Sequence, residues 1–175
     1  IVEPAPAPSG EDFYIGLANV ERDIGELVPA AEDELPAGGC LRFARGDVLI
    51  SKLRPYLNKV HLADRGGVCS PEFLVLRPKI GVRGEYLETV LRSTLVLTQT
   101  RHMAGGNTHP RLTPRDVSAL VLPMPEGNQQ DRLADEAAER RAEAQKLKVT
   151  ADTAWTAVKQ RFGDELLRRD GEPPT

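Results

Sequence analysis

Hydrophobic residues come in short runs through the first two thirds of the chain and as a helical stripe through the last third, which predicts two different kinds of structure. Residues 13–17, 41–43, 48–51, 60–62 and 73–76 are apolar runs of strand length, separated by Gly, Pro and charged residues. Pro55 keeps residues 52–59 out of the middle of a sheet, so the strands at 48–51 and 60–62 flank a loop. Residues 1–10 interleave Pro4, Pro6 and Pro8 with small residues and read as an extended lead-in, while residues 29–39 form an acidic loop. Tyr86, Leu87, Val90, Leu91, Leu95 and Val96 recur mostly at three- and four-residue intervals, predicting one helix over 85–103 that ends before Gly105-Gly106. Thr113, Pro114 and Asp116 carry the chemistry of a helix cap, first and third position, so one short helical turn follows. The prolines of Val121-Leu122-Pro123-Met124-Pro125 limit that stretch to a sheet edge or a stiff exit from the domain.

From residue 128 to residue 169 there is no proline, and Leu133, Ala137, Ala144, Leu147, Ala151, Ala154, Trp155, Val158, Phe162 and Leu166 share one stripe. At 1.5 Å per residue, some forty residues make a rod of roughly 60 Å. A rod of that length cannot bury its stripe against one small domain, so it requires a second helix, from a second copy, another partner or a longer parent chain. Gly163 weakens its last turns. The organisation expected is a globular domain over 1–126 followed by a helical spacer over 127–175.

Composition narrows this picture, since 175 residues suffice for one domain with an appendage but not for two full domains. The opening Ile1 predicts a piece of a longer parent. With no run of 18 apolar residues and no leader sequence, a soluble cytoplasmic protein with no membrane partner is expected. Net charge is only -3, but it is segregated. Residues 1–40 hold one base, Arg22, against nine acids; residues 41–115 hold thirteen bases against five acids; the remainder holds nine bases and twelve acids. The local field governs attraction of a polyanion, so the middle block is the candidate contact surface.

Catalytic chemistry finds little support. Cys40 and Cys69 are too few for a disulfide scaffold and lack zinc-site spacing, so both read as buried thiols. Cys69 with His61 or His109 would be a thiolate–imidazole pair, but its place at a strand entrance suits a packed thiol better. His102 and His109 have no carboxylate at a helical spacing to complete a metal site, and Gly105-Gly106 lacks the flanking residues of a phosphate loop. What stands out is the cluster Lys52, Arg54, Tyr56, Asn58 and Lys59, within eight residues around Pro55. Lys and Arg neutralise phosphates, Arg grips a guanine edge with two hydrogen bonds, and Asn does the same for adenine. A second candidate runs from Arg101 through Asn107, Thr108, His109 and Arg111. Two plainer readings stand beside these: Leu53, Tyr56 and Leu57 pack inward with the charges merely solvating the rim, and the second segment is an ordinary connecting loop.

Five blocks follow in order: residues 14–20 (YIGLANV), 46–60 (GDVLISKLRPYLNKV), 67–73 (GVCSPEF), 108–111 (THPR) and 122–125 (LPMP). This resembles the target recognition domain of type I restriction-modification specificity subunits, and of methyltransferases carrying such a domain at their C-terminus. The similarity covers about residues 12–170. One departure is the run Pro-Met-Pro-Glu-Gly-Asn-Gln-Gln at 123–130, where the family has a Pro-Leu-Pro-Pro-like run before a Glu-Gln pair. Another is a single recognition domain and helix, where the full subunit has two of each. The resemblance implies an α+β fold, a small mixed-sheet domain followed by one long C-terminal helix. It implies a non-catalytic module that reads one half of a bipartite site in double-stranded DNA, and a helical spacer that docks a methyltransferase subunit and a restriction subunit. S-adenosylmethionine would belong to the methyltransferase partner, as this chain lacks the Asn-Pro-Pro-Tyr type of motif. The rival from another class is a protein-interaction adaptor working through the long helix, with no DNA reading.

Overall fold

The computed structural model describes residues 3–29, 38–103 and 110–167. Among these, seven short strands form two sheets. In the first, β1 (Pro4–Ala5), β3 (Cys40–Phe43), β6 (Gly67–Cys69) and β2 (Tyr14–Ile15) lie side by side in that order, β2 parallel to β6 and the other pairs antiparallel. In the second, β4 (Val48–Ser51) runs antiparallel between β5 (Val60–Leu62) and β7 (Phe73–Leu76).

The layering follows from side-chain alternation along β4. Leu49 joins Ile15, Leu41, Phe43, Cys69, Phe73 and Val75 in a core shared by the two sheets. Val48 and Ile50 join Val60, Leu74, Leu91, Val96 and Leu112 in a second core, closed by helices. All four residues of β4 are therefore buried, as a strand covered on both faces requires. The class is α+β, as expected from the sequence.

Four helices follow the strands: α1 (Gly84–Leu91), α2 (Thr94–Met103), α3 (Pro114–Ser118) and α4 (Gly127–Leu167). The single helix expected over 85–103 is thus two, and Ser93 is the reason. Its hydroxyl donates to the Val90 carbonyl (2.6 Å) and accepts from the Val96 N–H (3.5 Å), ending one helix and starting the next. Two further expectations need correction. The lead-in contributes an edge strand, β1, where Pro4 is tolerated, and the strand expected over 13–17 is limited to Tyr14 and Ile15. The Thr113 cap is as read from sequence: its hydroxyl accepts from the Asp116 N–H (3.2 Å) and the Asp116 carboxylate accepts from the Thr113 N–H (2.7 Å).

The chain divides into two compact units, Ile1–Ala134 and Asp135–Thr175, so the first two turns of α4 belong to the globular unit. Buried Gln130 holds them: its amide donates to Gly81 O (3.1 Å) and Pro125 O (2.9 Å) and accepts from the Arg83 N–H (3.1 Å). Ala134 packs on Tyr86 and Val90. In the second unit Leu147, Trp155, Val158, Phe162 and Leu166 are all exposed. No helix among the described residues is long and apolar enough to cross a membrane.

Candidate functional site

Residues 52–59 leave β4 and return along β5. Their centre is a 3-10 turn, Pro55–Leu57, bracketed by Arg54 (φ 50°) and Asn58 (φ 50°), both left-handed. Pro55 is buried and fixes the first backbone angle, and the turn closes through Asn58 N–H to Pro55 O (3.0 Å) and Leu57 N–H to Arg54 O (2.8 Å). Asn tolerates the left-handed region, whereas Arg at this conformation costs about 1 kcal/mol.

Several tethers fix the turn from below. The Asn58 side-chain amide donates to Arg92 O (3.0 Å) and the Lys59 ammonium donates to Leu17 O (2.6 Å); burial holds the Lys59 amine below its usual range. The segment 21–26 clasps the same loop: Asp23 N–H donates to Leu57 O (3.2 Å), and His61 Nδ1 lies 2.9 Å from Gly25 O. This clasp was not foreseen, because in sequence it is an ordinary polar turn. Gly25 (φ 79°) is required there, since a Cβ would clash with the Val60 carbonyl.

The two basic segments singled out in the sequence meet. Arg54 N–H donates to Pro110 O (2.9 Å), Leu112 N–H donates to Lys52 O (2.8 Å), and Leu53 and Arg111 face each other as an antiparallel bridge. On its other side, Lys52 N–H donates to Glu72 O (2.8 Å). The result is a three-segment rim in which residues 52–54 run between residue 72 and residues 110–112. Lys52 Nζ donates to Pro71 O (2.5 Å), and Arg111 forms an ion pair with Glu72. α2 packs on the 3-10 turn and carries exposed Arg101 in its last turn. Arg54, Tyr56 (45% exposed) and Arg111 are likewise exposed, while Leu53 and Leu57 are half-buried. The segment is therefore neither wholly inward nor wholly outward: Asn58 and Lys59 are engaged as anchors, and Arg54, Tyr56, Arg101 and Arg111 are presented to solvent. Asn107, Thr108 and His109 lie outside the described residues.

Both cysteines are packed inside the fold. Cys69 is fully buried beside Ile15 and Leu41, and burial pushes its thiol up to about 12, which leaves no thiolate for nucleophilic attack. Cys40 is buried too, and its thiol is also raised by burial. Among the described residues, no group of three His, Cys, Asp or Glu side chains is placed to hold a metal ion.

No protein-family model and no curated protein sequence matches the chain. Solved structures do. The crystal structure of an HsdS subunit from Thermoanaerobacter tengcongensis matches 96% of this chain with a TM-score of 0.64 at 23% identity. A chain from work on complex assembly and conformational transition of the type I R-M system matches 100% of it with a TM-score of 0.70 at 22% identity. The fold is therefore that of these type I restriction-modification chains, as the sequence resemblance implied. This chain spans about half the length of each, 46% and 48% respectively.

Proposed function

We propose that the chain is a non-catalytic specificity module of a type I restriction-modification system, reading one half of a bipartite site in double-stranded DNA. The observation that carries this reading is the rim: two cation-bearing segments nearly sixty residues apart in sequence are stitched together by backbone hydrogen bonds, with Arg54, Tyr56, Arg101 and Arg111 exposed around them. Cations gathered on one rigid support suit phosphate neutralisation, and guanidinium groups suit guanine edges. Lys52 adds charge beside them, while Asn58 and Lys59 act as supports that hold the reading turn in shape. The shared fold with HsdS adds to the reading.

In this scheme α4 is the spacer. A helix bearing Leu147, Trp155, Val158, Phe162 and Leu166 on its surface pairs with a second helix, and methyltransferase and restriction subunits assemble on that pair. S-adenosylmethionine binds in the methyltransferase subunit, which performs the transfer. The same exposed face favours the adaptor reading, in which the helix alone does the work. Selection from a random duplex library by the chain assembled with its methyltransferase, followed by sequencing, separates the two. Enrichment of one short motif is expected; recovery of unbiased sequence at every salt concentration would favour the adaptor.

A further inference from the structure

We infer that Glu72 is a positioning residue for sequence discrimination: it orients the Arg111 guanidinium for base contact, and its negative charge weakens attachment to DNA of unselected sequence. This rests on the DNA-reading proposal above. Glu72 belongs to the Ser70-Pro71-Glu72-Phe73 segment, to which neither catalysis nor DNA contact gives a part.

Its backbone is fixed on every side. Phe73 N–H donates to Ser70 O (3.0 Å), Glu72 N–H donates to Ser70 Oγ (3.2 Å), and Glu72 O accepts from Lys52 N–H. The carboxylate is 30% exposed and pairs through Oε1 with Nη2 of Arg111, which is 52% exposed. The second oxygen, Oε2, is buried with no hydrogen-bond partner among the described residues, so the carboxylate depends on Arg111 for compensation. Stability alone explains little of this arrangement, because half-exposed ion pairs contribute slightly. A carboxylate paired with Arg111, on a residue hydrogen-bonded through its backbone to Lys52, also opposes the attraction of a polyanion. Reading a base accounts for both features. A guanidinium has five N–H donors, the ion pair engages Nη2, and a fork already held in place loses less freedom when it meets a guanine edge. The opposing charge acts on every sequence alike, so what survives it is the contact that depends on the base.

The test uses the chain assembled with its methyltransferase subunit, and compares wild type, Glu72→Gln, Arg111→Ala and the double variant. Binding is measured to the duplex selected by wild type and to a scrambled duplex, across a salt series, with thermal midpoints recorded in parallel. Glu72→Gln is expected to bind scrambled duplex severalfold more tightly. Its preference for the selected duplex should fall roughly tenfold, concentrated at one base position. Its thermal midpoint should stay near that of wild type. The double variant should discriminate no worse than Arg111→Ala alone, since the two residues act through one contact. Glu72→Gln with preference intact, or with both affinities and the thermal midpoint falling together, overturns the inference and leaves the DNA-reading proposal standing. A wild-type complex that enriches no sequence overturns both.

Discussion

Arg77 grips Asp47 with two parallel hydrogen bonds, Nε to Oδ1 and Nη2 to Oδ2, each 2.8 Å long. Asp47 is 1% exposed and also accepts from the Ala44 N–H (2.8 Å), while Arg77 extends a third contact to Glu3 (3.2 Å). The two residues flank the paired strand ends at Val48 and Leu76, so one guanidinium ties β4, β7 and β1 together. Burial pushes the Asp47 carboxyl up, but the Arg77 hydrogen bonds, the Ala44 N–H and the Arg77 charge more than offset it, and its pKa lies below the ordinary carboxylate range.

A carboxyl whose pKa is lowered by folding stabilises the fold above its unfolded value, near 3.9, and that contribution is lost as pH falls through the folded value. Asp47→Asn is therefore expected to cost about 2 kcal/mol at neutral pH in urea denaturation, and the deficit should shrink below about pH 4. A constant offset between the two proteins across that range would contradict this assignment.

Gly25 and Asn58 support the 3-10 turn from two separate segments of the chain. Gly25→Ala places a Cβ against the Val60 carbonyl at φ 79° and should destabilise by about 2–4 kcal/mol. Asn58→Ala loses the bond to Arg92 O and puts Ala in a left-handed position, for about 1–2 kcal/mol, whereas Asn58→Gly should recover part of that loss. Equal stability of the Ala and Gly variants at position 58 would show that backbone conformation is not what Asn58 supplies.

Exposed residues of the same loop should behave oppositely. Tyr56→Ala and Arg54→Ala are expected to change folding stability by no more than about 0.5 kcal/mol while weakening binding to the selected duplex. Arg101→Ala should weaken selected and scrambled duplex alike and lower the salt slope by about one. Wild-type affinity in all three variants, measured by fluorescence anisotropy, would remove the rim from the contact surface.

On α4, Lys159 Nζ sits 5.9 Å above the Trp155 ring, an exposed pair beside Val158 and Phe162. Replacing Trp155 and Phe162 with Glu should abolish association through this helix in sedimentation experiments while leaving the cooperative unfolding of residues 1–134 unchanged. Unaltered association would place the partner surface elsewhere.

Much of the fold is legible in sequence where one signal dominates. The apolar runs at 48–51, 60–62 and 73–76 are strands because each is bounded by turn residues, and Thr113 with Asp116 gives a capping box. Where signals compete, the sequence misleads. The apolar spacing runs on through Ser93, whose hydroxyl divides the helix, and β6 is three residues long and begins with Gly67. The candidate site was legible as a set of cations but not as an arrangement. Counting donors in residues 52–59 says nothing of the carbonyls that capture three of them: Pro71 O is 19 residues from Lys52, Arg92 O is 34 residues from Asn58, and Leu17 O is 42 residues from Lys59. Only the fold separates anchors from presented groups.

Under the DNA-reading proposal, the left-handed backbone at Arg54 bears on any attempt to retarget the protein. A glycine would sit at φ 50° with less strain, so a long side chain kept there is held against its own backbone preference. Libraries meant to alter specificity gain most by diversifying position 54 together with 56 and 111, with glycine included at 54 as the unstrained reference. Position 58 favours Asn or Gly in such a library, because its left-handed backbone shapes the turn on which the other choices are displayed.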